Sequence, residues 1–253
     1  MILRKTIYSI ILLLDPPGKT GRFMIKIPAG FKQGRRHLMN ELFMMRELKK
    51  RGHEYGYIAG WGLSIFPIII RRFLEGEDLF SLISRDGAFG IAKALKVTVS
   101  LCEVSHKLHS CRDTPVHGDI KPSNIILSSS GQTRLTDFGG AFFKNGTFPG
   151  FYKKCFSPGY TAPEIFGIER PGPAADIFSI GALLFFLLTA EKPFSETEPF
   201  LHKNEIIRRE FENKESFRRL NPFIKDLISR CLSFFPGKRP SSAESLREEI
   251  LCA

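Results

Sequence analysis

The stretch His117-Gly118-Asp119-Ile120-Lys121-Pro122-Ser123-Asn124 constrains this chain more than any other. It places a carboxylate, an ammonium and an amide within one short polar run. Val116 precedes it and Ile125-Ile126-Leu127 follows it, so apolar residues close it on both sides. A loop set between buried segments in this way points Asp119, Lys121 and Asn124 into a common cleft. An aspartate can take a proton from an attacking hydroxyl. A lysine can neutralise a migrating phosphoryl group, and an asparagine can ligate a hard metal ion through its amide oxygen. A second carboxylate follows a short hairpin turn, in Thr136-Asp137-Phe138-Gly139. A lone Asp or Asn in a loop reads as a turn residue. An ordered set at this spacing reads as chemistry.

With 253 residues the chain can form one large domain or two lobes sharing a cleft. Its hydrophobic fraction of 43% suits a folded globular protein. The net charge of +11 raises the question of nucleic acid, acidic membranes or acidic substrates. The basic residues are spread along the chain in short clusters such as Lys49-Lys50-Arg51, with no basic tail. That pattern favours solvated helix faces and a phosphate-binding cleft over a nucleic-acid footprint. The cysteines at 102, 111, 155, 231 and 252 are scattered and odd in number, with no Cys-x-x-Cys. They argue for reduced thiols and a cytoplasmic protein, not for a disulfide framework or a zinc site. Two apolar runs need a decision. Ile7 to Leu14 ends at Asp15-Pro16-Pro17 and reads as a strand, not a signal peptide. Ile177 to Ala190 is short for a bilayer and follows Asp176, so a core helix is expected and no membrane span.

Residues 7–14 and 22–27 are β-rich and flank a turn-forming segment, which predicts a hairpin. Gly18-Lys19-Thr20 is not a phosphate loop, because that motif needs a glycine where Leu13 stands. Lys26 lies inside the second strand among apolar neighbours and is expensive to bury unpaired. Leu38, Leu42, Met45 and Leu48 recur at three- and four-residue steps, predicting a helix over 37–50. Glu41 on that helix can reach back to Lys26. Glu47 is a second candidate at poorer spacing. Ile65 to Ile70 reads as a buried strand, residues 90–110 as a long helix, and Ser241 to Glu244 as a capping box opening the last helix.

Taken together, these motifs resemble those of the protein kinase family, specifically the eukaryotic-type Ser/Thr protein kinase domain. His117–Asn124 resembles its catalytic loop, Asp137-Phe138-Gly139 its metal-binding motif, and Lys26 with Glu41 its strand-lysine and helix-glutamate pair. Ala162-Pro163-Glu164 matches a further signature, and Arg239 stands where the family places an arginine that pairs with that glutamate. The resemblance runs from Lys26 to Arg239. It implies an α+β, bilobal fold as a single domain over 1–253, with a small β-rich lobe of about 1–74 carrying one helix and a larger, mainly helical lobe of about 75–253. It implies a Ser/Thr kinase that transfers the γ-phosphate of ATP, with Mg²⁺, to a protein substrate. Asp119 is then the base and Lys121 the stabiliser of the transferring group. Lys26, held by Glu41, positions the ATP phosphates. Asn124 and Asp137 bind Mg²⁺, and Asp78 meets the ribose behind a hinge near Leu74.

The chain departs from the family in several places. The segment Leu3 to Ile11, where the Gly-rich loop belongs, holds no glycine. Met24 replaces a small residue two positions before the lysine. Arg71, or Ile70 with a one-residue shift, falls at the back of the nucleotide pocket. Gly118 replaces the arginine that meets an activation-loop phosphate in many kinases, while Thr147, Tyr152 and Ser157 offer hydroxyls in that loop. Two alternatives follow. One is a small-molecule phosphotransferase of the aminoglycoside or choline kinase type, which lacks the Ala-Pro-Glu segment and its arginine. The other is a pseudokinase, a binding module that keeps the fold without catalysis.

Overall fold

The computed structural model describes residues 2–6, 8–15, 21–53, 55, 57–63, 66–145, 157–166, 171–194 and 210–252. The pieces 16–20, 146–156 and 195–209 lie outside the described residues, and with them Thr147, Tyr152 and the Gly18-Lys19-Thr20 sequence. The chain divides into two compact units. The smaller comprises residues up to 75 together with 136–142, and the larger comprises 76–135, 143–145 and the described residues from 157 onward.

The smaller unit is built on an antiparallel sheet in the order β1-β2-β3-β5-β4. Its strands are β1 (Ile2–Lys5), β2 (Ser9–Leu14), β3 (Phe23–Pro28), β4 (Tyr57–Leu63) and β5 (Phe66–Arg72). The glycine-free segment is the turn between β1 and β2. Thr6 closes it, its N–H reaching the Ser9 carbonyl at 2.8 Å and its hydroxyl accepting from the N–H groups of Tyr8 and Ser9. The Thr6 side-chain oxygen thus fixes the turn locally. On β3 the buried residues alternate as Met24, Lys26 and Pro28, so Lys26 shares the core face of the sheet. A π-helical turn, Gly30–Gly34, leads into helix α1 (Arg35–Lys50). The backbone of Gly34 presses on the Tyr8 carbonyl so closely that a Cβ would overlap it. Helix α1 buries Leu38, Leu42 and Met45 against Ile69 of β5, at the three- and four-residue steps predicted.

The larger unit is mainly helical. Its elements are β6 (Glu77–Asp78), α2 (Leu79–Asp86), α3 (Ile91–His109), β7 (Pro115–Val116), β8 (Ile125–Leu127), β9 (Thr133–Leu135) and α4 (Ala174–Thr189), followed by α5 (Glu215–Arg218), α6 (Pro222–Cys231) and α7 (Ala243–Leu251). Strands β6, β8 and β9 form a small antiparallel sheet that fixes the segment after Asn124. Helix α4 is buried along nearly its whole length, from Ala175 to Leu187, as a core helix in a globular unit must be. Gly181 permits its crossing with α6, since a Cβ there would overlap that of Cys231. Phe185, Phe194, Phe211 and Phe217 pack edge-on and stacked around it. Among the described residues no helix is long and apolar enough to cross a membrane. The last helix begins one residue later than its spelling suggests. Ser242 is the cap and Ser245 completes the box, because it is the Ser245 side chain that reaches back to the Ser242 N–H. Of the described cysteines, Cys102 on α3 and Cys231 on α6 are buried, and Cys252 is exposed.

Candidate active site

In the larger unit the polar loop is hung from one buried carboxylate. The backbone N–H groups of His117 and Gly118 donate to Asp176 at 2.9 Å each, and His109 Nε2 meets the same carboxylate at 2.9 Å. Gly118 adopts φ +70°, a left-handed conformation that glycine accepts without strain. Asp176 is fully buried. Burial alone would raise its carboxyl, but the His109 hydrogen bond, the fields of His109 and His117 and the Gly118 N–H outweigh it and hold the group below the usual carboxylate range.

The loop so held brings Asp119, Lys121 and Asn124 together. Asp119 is 5% exposed. Its Oδ2 accepts from Lys121 Nζ at 2.8 Å and from Asn124 Nδ2 at 3.0 Å. Its Oδ1 accepts from the Ser157 hydroxyl at 2.5 Å, and Lys121 Nζ also donates to Ser157 Oγ at 2.8 Å. Ser157 is therefore no exposed phosphosite. Its hydroxyl is buried between the Asp119 carboxylate and the Lys121 ammonium, and its own backbone is clasped by Thr161. Asn124 Nδ2 also donates to the Asp119 carbonyl at 2.9 Å, which turns the amide nitrogen inward and the amide oxygen the other way. Asp78 caps α2, accepting from the Ser81 N–H at 3.0 Å and the Ser81 hydroxyl at 2.8 Å. Downstream, Arg239 makes a two-nitrogen contact with Glu164, at 2.5 and 2.9 Å.

In the smaller unit Lys26 pairs with Glu41 at 2.5 Å and with Asp137 at 2.8 Å, with the lysine 3% and the glutamate 1% exposed. Burial alone would lower the Lys26 ammonium, but Asp137 and Glu41 outweigh it and raise the group. Glu47 is not the partner, for it is taken by Lys50 and Arg51 on its own helix. Asp137 begins the turn at φ +65° and ψ +76°. Its Oδ1 accepts from Lys26, from His37 Nε2 at 3.0 Å and from the Gly139 N–H at 3.4 Å. Burial pushes its carboxyl up, yet the Lys26 charge and the His37 hydrogen bond hold it well below the usual range. Asn40, one turn along α1, donates to the carbonyls of Gly139 and Ala141 at 3.0 and 2.8 Å. On β5 it is Arg71, not Ile70, that is buried, lying opposite Met24 with Nη2 3.5 Å from the methionine sulfur. Burial lowers its guanidinium, with Glu41 and Asp137 opposing.

A carboxylate oxygen suits a hard cation. Asp137 of the smaller unit carries a carboxylate held well below the usual range, whose Oδ2 accepts no hydrogen bond among the described residues. Sequence reasoning missed His37 and Asn40, and took Ser157 for a phosphosite where the structure buries its hydroxyl against Asp119. Their partners are distant in the chain, and no short spelling connects them.

The sequence model of the protein kinase domain family matches residues 25–251. The serine/threonine-protein kinase PknK of Mycobacterium bovis is 30% identical over 186 residues, which is 73% of this chain and 17% of that protein. Calcium-dependent protein kinase 11 of Arabidopsis thaliana is 32% identical over 189 residues, 72% of this chain and 37% of that protein. The phosphorylase b kinase gamma catalytic chain, liver/testis isoform, of Bos taurus is 27% identical over 229 residues, 87% of this chain and 55% of that protein. The chain thus spans between about a sixth and about half of the curated relatives it matches.

Proposed function

From the premise that the chain belongs to the protein kinase family, we propose that it is a serine/threonine-protein kinase acting on a protein substrate. The observation that carries this reading is Lys121, which bridges Asp119 and Ser157 beside the base that a hydroxyl acceptor needs. That the Ser157 hydroxyl donates to Asp119 Oδ1 supports the reading, because an acceptor serine or threonine would make the same kind of hydrogen bond. When bound, Mg²⁺·ATP supplies the phosphoryl group and compensates its charge. Asp119 orients the acceptor hydroxyl and takes its proton at Oδ1. Lys121 offers its ammonium to the transferring group. Lys26, fixed by Glu41, holds the nucleotide phosphates, Asp137 and Asn124 each offer an oxygen to Mg²⁺, and Asp78 offers its carboxylate to the ribose. Catalysis of this kind is positioning and charge stabilisation.

The test is incubation with labelled ATP, Mg²⁺ and a generic basic protein, comparing the parent with Asp119→Asn, Lys26→Met and Asp137→Asn. The parent is expected to label serine and threonine. Each variant should fall by about 10²–10⁴-fold while melting as the parent does. Near-full labelling by any folded variant would overturn that residue's assignment, and labelling of tyrosine would overturn the acceptor class. The second reading, a binding module without transfer, is favoured by the glycine-free turn at Thr6–Ser9. A parent that binds ATP and labels nothing would establish it. The Glu164–Arg239 contact speaks against the small-molecule phosphotransferase alternative.

A further inference from the structure

We propose that His37 is a positioning residue for the metal-binding carboxylate: it holds Asp137 Oδ1 so that Oδ2 faces the cation. The proposal rests on the reading of Asp137 as a Mg²⁺ ligand. Three donors converge on Oδ1, namely Lys26, His37 and the Gly139 N–H. Among the described residues none reaches Oδ2, and the Asp137 side chain remains 27% exposed. The carboxylate is thereby divided into an anchored oxygen and a presented one.

His37 is well placed for this task. It is 3% exposed, and its ring stacks on Tyr8 with centroids 4.5 Å apart and planes at 15°. On another side it lies against Gly139, where a Cβ would overlap the imidazole. Nε2 lies 3.0 Å from Asp137 Oδ1. Nδ1 is buried and without a partner among the described residues. A buried polar atom without a partner is costly, and an apolar side chain of similar size would avoid the cost. The hydrogen bond that the ring makes is the one to Asp137. Asn40 and Glu41, three and four residues on, complete one helix face. Asn40 holds the Gly139 and Ala141 carbonyls, and Glu41 holds Lys26, which itself reaches Oδ1. Partners that orient a metal ligand typically change affinity by about 10–100-fold when removed.

The experiment measures Mn²⁺ binding in the presence of ADP, by electron paramagnetic resonance of the free ion, alongside kcat and the KM for Mg²⁺·ATP. His37→Phe keeps a ring against Tyr8 and Gly139 but removes the donor. His37→Gln keeps a donor and removes the ring. The Phe variant is expected to weaken Mn²⁺ binding by about tenfold or more while melting cooperatively, and the Gln variant to recover most of that loss. Asp137→Asn is the reference. If it loses Mn²⁺ and His37→Phe does not, the proposal falls alone. If Asp137→Asn binds Mn²⁺ as the parent does, the assignment of Asp137 as a ligand falls and takes the proposal with it. Should His37→Phe fail to fold, a folded Gln variant decides. Loss of Mn²⁺ there would assign the effect to ring packing and overturn the proposal, and near-parent binding would support it.

Discussion

Asp176 shows how much of a loop can depend on one side chain. It accepts two consecutive backbone N–H groups and a histidine, so replacing it with Asn turns an amide N–H toward donors that expect an acceptor. A mismatch of this kind costs about 1–3 kcal/mol. The pH dependence follows from the direction of the shift. The folded carboxyl lies below its unfolded value, so its stabilisation is fully present above the unfolded pKa of about 3.9 and is lost as pH falls through the folded one. Urea denaturation of the parent and of Asp176→Asn, between about pH 6 and about pH 3, should give curves that converge as the acid removes what the mutation has already removed. A stability difference that stayed constant throughout would show that Asp176 does not titrate with folding.

At the scale of elements, Arg239 ties three segments together. It contacts Glu164 in the turn after Ala162, the Ala174 carbonyl at the start of α4 at 2.7 Å, and the Ser233 and Phe234 carbonyls after α6 at 2.8 and 3.2 Å. It also lies over the Phe178 ring at 5.0 Å. Removing either partner of the ion pair should cost about 3–5 kcal/mol, with Arg239→Ala at the upper end because its carbonyl contacts go too. The double mutant should cost little more than Arg239→Ala, and strictly additive losses in the cycle would contradict the pairing. The pair was legible in sequence because each partner sits in a recognisable spelling. The Lys26–Glu41 pair was legible for a different reason: a lone lysine in an apolar strand needs a carboxylate, and helical periodicity shows which one faces it. Nothing comparable betrays His37, whose bond spans 100 residues, or Ser157, whose role depends on a turn and not on its neighbours. The choice between Arg71 and Ile70 also needed coordinates. Motif register pointed to Arg71 with Ile70 one residue away, and strand alternation shows that only one of the two is buried but not which.

For the molecule as a whole, regulation follows from what stands beside Asp119. Gly118 carries no cation, and its N–H is committed to Asp176. Arginine there would be strained at φ +70°. Activity is therefore expected to survive phosphatase treatment, with initial rates after removal of the phosphatase matching those before. A collapse that recovered only after a lag, and was blocked by Thr147→Ala, would contradict this. Among the described residues, two buried thiols of the helical unit carry a separate consequence. Only a thiolate reacts with an alkylating dye, and burial pushes the sulfhydryls of Cys102 and Cys231 far up from their ordinary range. They stay silent until α3 or α6 separates from its neighbours, whereas Cys252 at the exposed end stains at once. Cys102 and Cys231 thus act as internal clocks, one on α3 and one on α6. Their rates of staining, followed peptide by peptide, time how often each helix comes loose without any probe having to be engineered in.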